Sequence, residues 1–128
     1  MDLKMTAEEL LRRYATGERN FSGVDLSGVK FRRCTDLPGI DLSNADLTEV
    51  SLYSAELSEA DLSGARMGGC ILEGANLSFA NLTRASLIEA TLVDANLTGA
   101  ILKETVLGHP LMDGSNLTGV DFSRAILD

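Results

Sequence analysis

Side chains able to do chemistry are few in this chain, and they are scattered. His109 is the only histidine, and it stands beside Pro110 with no second ligand or base at a useful spacing. A metal site or a proton relay needs several converging groups, so His109 reads as a solvated loop residue. Cys34 and Cys70 are the only cysteines and sit in no CxxC-like arrangement. Two cysteines are too few for a disulfide framework. Whether they bond to each other stays open, because the spacing sets them almost two repeats of the fold apart unless an irregularity shifts Cys34. Acidic residues recur at Asp36, Asp41, Asp46, Glu56, Asp61 and Asp121, always one place before a large apolar residue. Carboxylates at that regularity suit local backbone bonding and a solvated face. No Ser/His/Asp or Cys/His set is present, so no catalytic residue, cofactor site, metal site or small-molecule substrate is expected.

What positions these groups is a period of five. From Ile40 the chain reads IDLSN ADLTE VSLYS AELSE ADLSG ARMGG CILEG ANLSF ANLTR ASLIE ATLVD ANLTG AILKE. The third residue of each unit, its centre, is large and apolar: Leu42, Leu47, Leu52 and onward to Leu117, Phe122 and Leu127. Phe21, Leu26 and Phe31 keep the period upstream, with one extra residue before Leu37, assigned to Cys34-Thr35-Asp36. Two places before each centre the residue is small; of twelve such sites between Ala45 and Ala100, ten are Ala. Neither a helical stripe nor strand alternation gives this pattern. A coil with four short sides does, and it stacks residue n on n+20. Two interior columns follow: Leu37, Leu57, Leu77, Leu97, Leu117, and Leu42, Leu62, Leu82, Leu102, Phe122. Nine of the twelve glycines fall two places after a centre, which puts turns with a positive-φ residue at the corners.

The units ANLSF at Ala75, ANLTR at Ala80, ANLTG at Ala95 and ADLTE at Ala45 resemble the A(D/N)LXX motif of the pentapeptide repeat family. The resemblance runs from about Asn20 to Asp128. TAEELLRRYATGERNFSG is similar to the helical lead-in of many cyanobacterial members. The resemblance implies an all-β fold, a right-handed quadrilateral β-helix of about five and a half coils. For most members it implies no known activity. The expected organisation is a helical cap over residues 1–19 and a β-helix over 20–128. In the first part Thr6 and Glu9 read as a capping box, and Gly17 as the stop. The pattern is irregular across Thr105–Ser115, where Thr105, Pro110 and Ser115 replace Ala; Pro110, lacking an N–H, should interrupt one ladder.

Charge narrows the function. The chain carries 11 basic and 19 acidic residues, a formal −8. That balance excludes phosphate-backbone binding, so no nucleic-acid partner is expected. The N-terminus has no secretory signal, and no apolar run spans a membrane, so the cytoplasm is the expected location and no membrane partner is expected. A non-enzymatic structural or protein-interaction module is the leading expectation. The alternative comes from the resemblance: some family members are acidic rods that inhibit type II topoisomerases by imitating DNA. Here the column Asp41, Asp61, Asn81, Ile101, Asp121 is broken twice, which weakens it. The Ser58, Ser78, Thr98, Thr118 column is too mixed for an ice-binding face. Apolar residues at outward positions gather late in the chain, at Ile101, Val106, Leu111 and Ile126, before Leu127. They mark the expected contact surface, for self-association or an unknown protein partner.

Overall fold

The structure, a computed structural model, describes residues 4–109 and 111–127. Most of the described turns are set by the same local chemistry. A centre carbonyl accepts from the N–H three residues on, as in Ala45 N–H to Leu42 O at 3.1 Å and Ala80 N–H to Leu77 O at 3.0 Å. The residue two after the centre takes positive φ, the signature of a type II turn. Glycine does so at Gly64 (67°), and Asn44 (59°), Glu89 (62°) and Phe79 (59°) do so at the same place in their units. The glycines therefore reveal the corners, but eleven residues with side chains are held in the same conformation.

Successive turns stack through parallel single-residue bridges rather than extended strands. Asp41 pairs with Asp61, Asp46 with Arg66, Ser51 with Ile71 and Glu56 with Asn76. Each step is twenty residues with four bridging positions, which defines a four-sided coil. The first side carries Asp41, Asp61, Asn81, Ile101 and Asp121. The second carries Asp46, Arg66, Ser86, Val106 and Ile126. Ser51, Ile71, Thr91 and Leu111 lie on the third, and Glu56, Asn76, Asn96 and Asn116 on the fourth. Neighbouring coils sit about 4.8 Å apart, the spacing of hydrogen-bonded β-structure.

Before Asp36 the bridges step by twenty-one, as in Lys30 with Ser51. The extra residue sits slightly earlier than its assignment to Cys34-Thr35-Asp36. Phe31 is still in register, since its N–H reaches Ser51 O. Cys34 already occupies the positive-φ turn position (61°), and Thr35 N–H closes the turn on Arg32 O. The surplus therefore falls at Arg32-Arg33, on the outside, where it disturbs no buried column. Cys34 is exposed and Cys70 buried, and both are free thiols.

The interior is filled. Leu37, Leu57, Leu77 and Leu97 are each 0% exposed, with Ala45, Ala55 and Ala80 as small spacers between centres. Such alternation packs four inward Leu side chains per coil into a narrow square, with Ile40 and Val50 also accommodated at the small site. Thr105 is buried in an Ala position and donates its Oγ1–H to Leu82 O at 2.7 Å. The columns fail only in the last coil. Leu117 and Phe122, expected in the core, are 38% and 39% exposed because no described coil stacks on them.

At the other end a helix, α1, spans Ala7–Ala15. Thr6 Oγ1 accepts the Glu9 N–H at 3.1 Å, satisfying one free donor of the first turn. Gly17 N–H reaches Tyr14 O and Glu18 N–H reaches Arg13 O, the paired bonds of a Schellman stop. Leu10 is fully buried, and Ala7, Leu11 and Tyr14 pack beside it. The Tyr14 hydroxyl donates to Pro38 O at 2.6 Å, and Arg19 lies 3.7 Å over the Tyr14 ring. Just before α1, Lys4 bridges to Asp25 and Met5 is buried in the column of Leu26. The period of five does not reach that far, so the sequence reading missed this pairing. Pro110 lies outside the described residues, but the coil around it is irregular: the positive φ moves from the usual place, His109, to Gly108 (60°).

Candidate interaction surface

With the interior filled, only outer walls and ends can act. Among the described residues no three His, Cys, Asp or Glu side chains converge as metal ligands. His109 is exposed at the corner of the irregular coil. The buried Cys70 thiol is pushed up to about 12 by desolvation, which suppresses the nucleophilic thiolate. No helix among the described residues is long and apolar enough to cross a membrane.

The recurring aspartates serve the turns. Asp41 Oδ1 accepts from Ser43 N–H at 3.0 Å and from its hydroxyl at 2.7 Å. Asp46 and Thr48, and Asp61 and Ser63, repeat the arrangement. Hydrogen bonds from the Ser or Thr two places on hold the Asp25, Asp46 and Asp121 carboxyls below their ordinary value. The Asn units use the same geometry, as in Asn96 with Thr98. This explains the units in which D or N precedes the centre and S or T follows it: the pair closes a small ring ahead of the corner. The Asp41–Asp121 column exists as expected and is interrupted at Asn81 and Ile101.

The five apolar residues expected at the contact surface are not brought together. Ile101 lies on the first side and is 38% exposed. Val106 and Ile126 stack on the second, as expected, and Leu111 lies on the third. Leu127 is different. It joins Met112, Phe122 and Ala125 around Leu107 in a groove of about 520 Å³ at the open end of the last coil. Leu127 is 64% exposed, and Leu117 belongs to the same end. The sequence reading placed Met112, Leu117 and Phe122 in the core.

Comparison with curated proteins finds no match. Solved structures give several. A pentapeptide repeat protein, Rfr23 from the cyanobacterium Cyanothece 51142, is 26% identical with a TM-score of 0.52, covering 94% of this chain and 99% of its own. A pentapeptide repeat protein of the Arabidopsis thaliana thylakoid lumen is 32% identical with a TM-score of 0.56, covering 86% of this chain and 66% of its own. The plasmid-mediated fluoroquinolone resistance protein QnrB1 shares the fold at 22% identity and a TM-score of 0.50, covering 98% of this chain and 70% of its own. Such proteins fold as right-handed quadrilateral β-helices and are in general non-enzymatic structural or interaction modules. The profile of pentapeptide repeats matches in eight copies that together cover residues 35–128, and the chain belongs to the pentapeptide repeat family.

Proposed function

We propose that this chain is a non-enzymatic protein-interaction module, a rigid rod whose principal contact surface is the open end of its last coil. The observation that carries this reading is the exposure of Leu117, Phe122 and Leu127 at a place where every preceding coil buries the equivalent residues. About five and a half coils fit the count of repeats, with residues 1–19 as a cap that carries α1. The occupant that suits the open end is a second copy. The same apolar patch meets itself across a two-fold axis. Among the described charges nearby, Lys103 and Arg124 stand against Glu104, Asp113 and Asp121, and Arg124 is paired with Glu104. Sedimentation equilibrium over a concentration series tests this. The wild type should show a concentration-dependent dimer, and Phe122→Asp should stay monomeric with an unchanged circular dichroism spectrum. A wild type that remains monomeric throughout would remove the proposal.

Imitation of a nucleic acid is the second reading, and the fold shared with QnrB1 favours it. Against it stand the neutral breaks in the first side and Arg66 in the middle of the second. A gyrase supercoiling assay separates the two, since an interaction rod leaves supercoiling unaffected and a mimic inhibits it.

A further inference from the structure

A separate groove lies on the side wall of the rod, at the corner between the second and third sides. It encloses about 650 Å³ and is lined by Thr48, Glu49, Arg66, Gly68, Gly69, Ser86, Ile88 and Glu89. Its floor is the Gly68-Gly69 turn. Gly69 has the positive φ (68°) that the corner requires, but Gly68 does not adopt that conformation. A Cβ at Gly68 would meet only Ile88 O, at 3.6 Å, an ordinary contact. Neither the backbone nor the packing therefore calls for glycine at position 68. Thr48 below and Ile88 above fill the corresponding place with side chains. What Gly68 does is leave a notch.

The walls of the notch have a definite chemistry. Glu49 and Glu89 stand one coil below and one coil above the floor, both exposed, and neither side chain has an ion-pair or hydrogen-bond partner among the described residues. Glu49 bends over the floor, with its Cγ 3.2 Å from where a Gly69 Cβ would be. On the corner between the first and second sides the equivalent Glu104 is paired with both Arg84 and Arg124. The one basic side chain in the groove, Arg66, is drawn to Asp46 at 3.5 Å. Ile88 is 45% exposed and offers an apolar wall.

We infer that this notch receives an arginine or lysine side chain from an extended segment of a partner protein, its aliphatic stem along Ile88 and its charge between Glu49 and Glu89. A long basic side chain has that division into apolar stem and charged head. The notch is too small to hold a stable complex alone, since specific interfaces bury about 800 Å² per partner. It acts as a selective contact along the wall, independent of the open end.

The test is ¹⁵N chemical-shift titration of the full chain with a blocked heptapeptide bearing one central arginine, against the same peptide with glutamine. Saturable shifts confined to the amides of Gly68, Gly69, Ile88 and Glu89 are expected for the arginine peptide only. Gly68→Leu fills the notch without touching a charge and should abolish them while the rest of the spectrum stays folded. Glu49→Gln and Glu89→Gln should each weaken binding by roughly fivefold, the upper range for an exposed ion pair. Shifts spread over all acidic corners, or unchanged in Gly68→Leu, would overturn the inference. So would equal binding of the glutamine peptide.

Discussion

Leu77 and Leu117 occupy one interior column two coils apart, and replacing each by alanine probes the stacking directly. Leu77 is 0% exposed with Leu57 and Leu97 in the coils on either side, whereas Leu117 is 38% exposed with nothing described beyond it. Leu77→Ala loses the transfer energy of the removed carbons and leaves a closed cavity, because the hydrogen-bonded square on both sides resists collapse. Buried Leu→Ala changes of that kind cost about 3–5 kcal/mol. Leu117→Ala opens to water and leaves no closed cavity. Part of its contact is already solvated, so the loss should be about 1 kcal/mol, below the ~1.5–3 kcal/mol of a fully buried side chain. Urea unfolding followed by circular dichroism measures both. Hydrogen exchange then locates the loss, with protection falling across the middle coils in Leu77→Ala and only in the last coil in Leu117→Ala. Equal losses for the two would refute the idea that coverage by the next coil makes a centre a core residue.

Four further outcomes follow from single residues. Native protein should titrate one thiol with Ellman's reagent at mildly alkaline pH and two in denaturant, since Cys34 is exposed and Cys70 buried. The Cys70 thiol, raised from 9.0 to about 12, contributes stability that is intact below pH 9 and is lost as pH rises towards 12, because only the unfolded chain releases that proton; Cys70→Ala should flatten that decline in alkaline urea melts. The depressed carboxyls run the other way. Asp25, Asp46 and Asp121 add stability above the ordinary value of 3.8 that is lost as pH falls through their lower folded values, and Thr48→Val should reduce the acid sensitivity by removing the main bond to Asp46. Glu89→Gly should raise the urea midpoint, since a side chain at φ 62° carries left-handed strain of about 1 kcal/mol that glycine relieves.

The period of five settled most of this molecule before any coordinates. A large residue every fifth place with a small one between can be buried only in a closed four-sided coil, so Leu57 on Leu77 and Val106 on Ile126 were legible as columns. The Thr6 cap and the Gly17 stop were legible for the same reason: local bonds fix them, and local bonds are written in neighbouring residues. What the tertiary structure decided was everything that depends on the presence or absence of the next coil. Phe122 and Leu82 carry the same signal in sequence, yet one is exposed and the other buried, because burial is a property of the layer above. Lys4 and Met5 join the ladder by a pairing that no repeat announces. The surplus residue settled at Arg32-Arg33 because the buried columns on either side hold their register and the exterior yields. The notch at Gly68 stood in the sequence as one more glycine. Only the stacking of Glu49 and Glu89 around it, brought together from forty residues apart by two turns of the coil, gives it a shape and a charge.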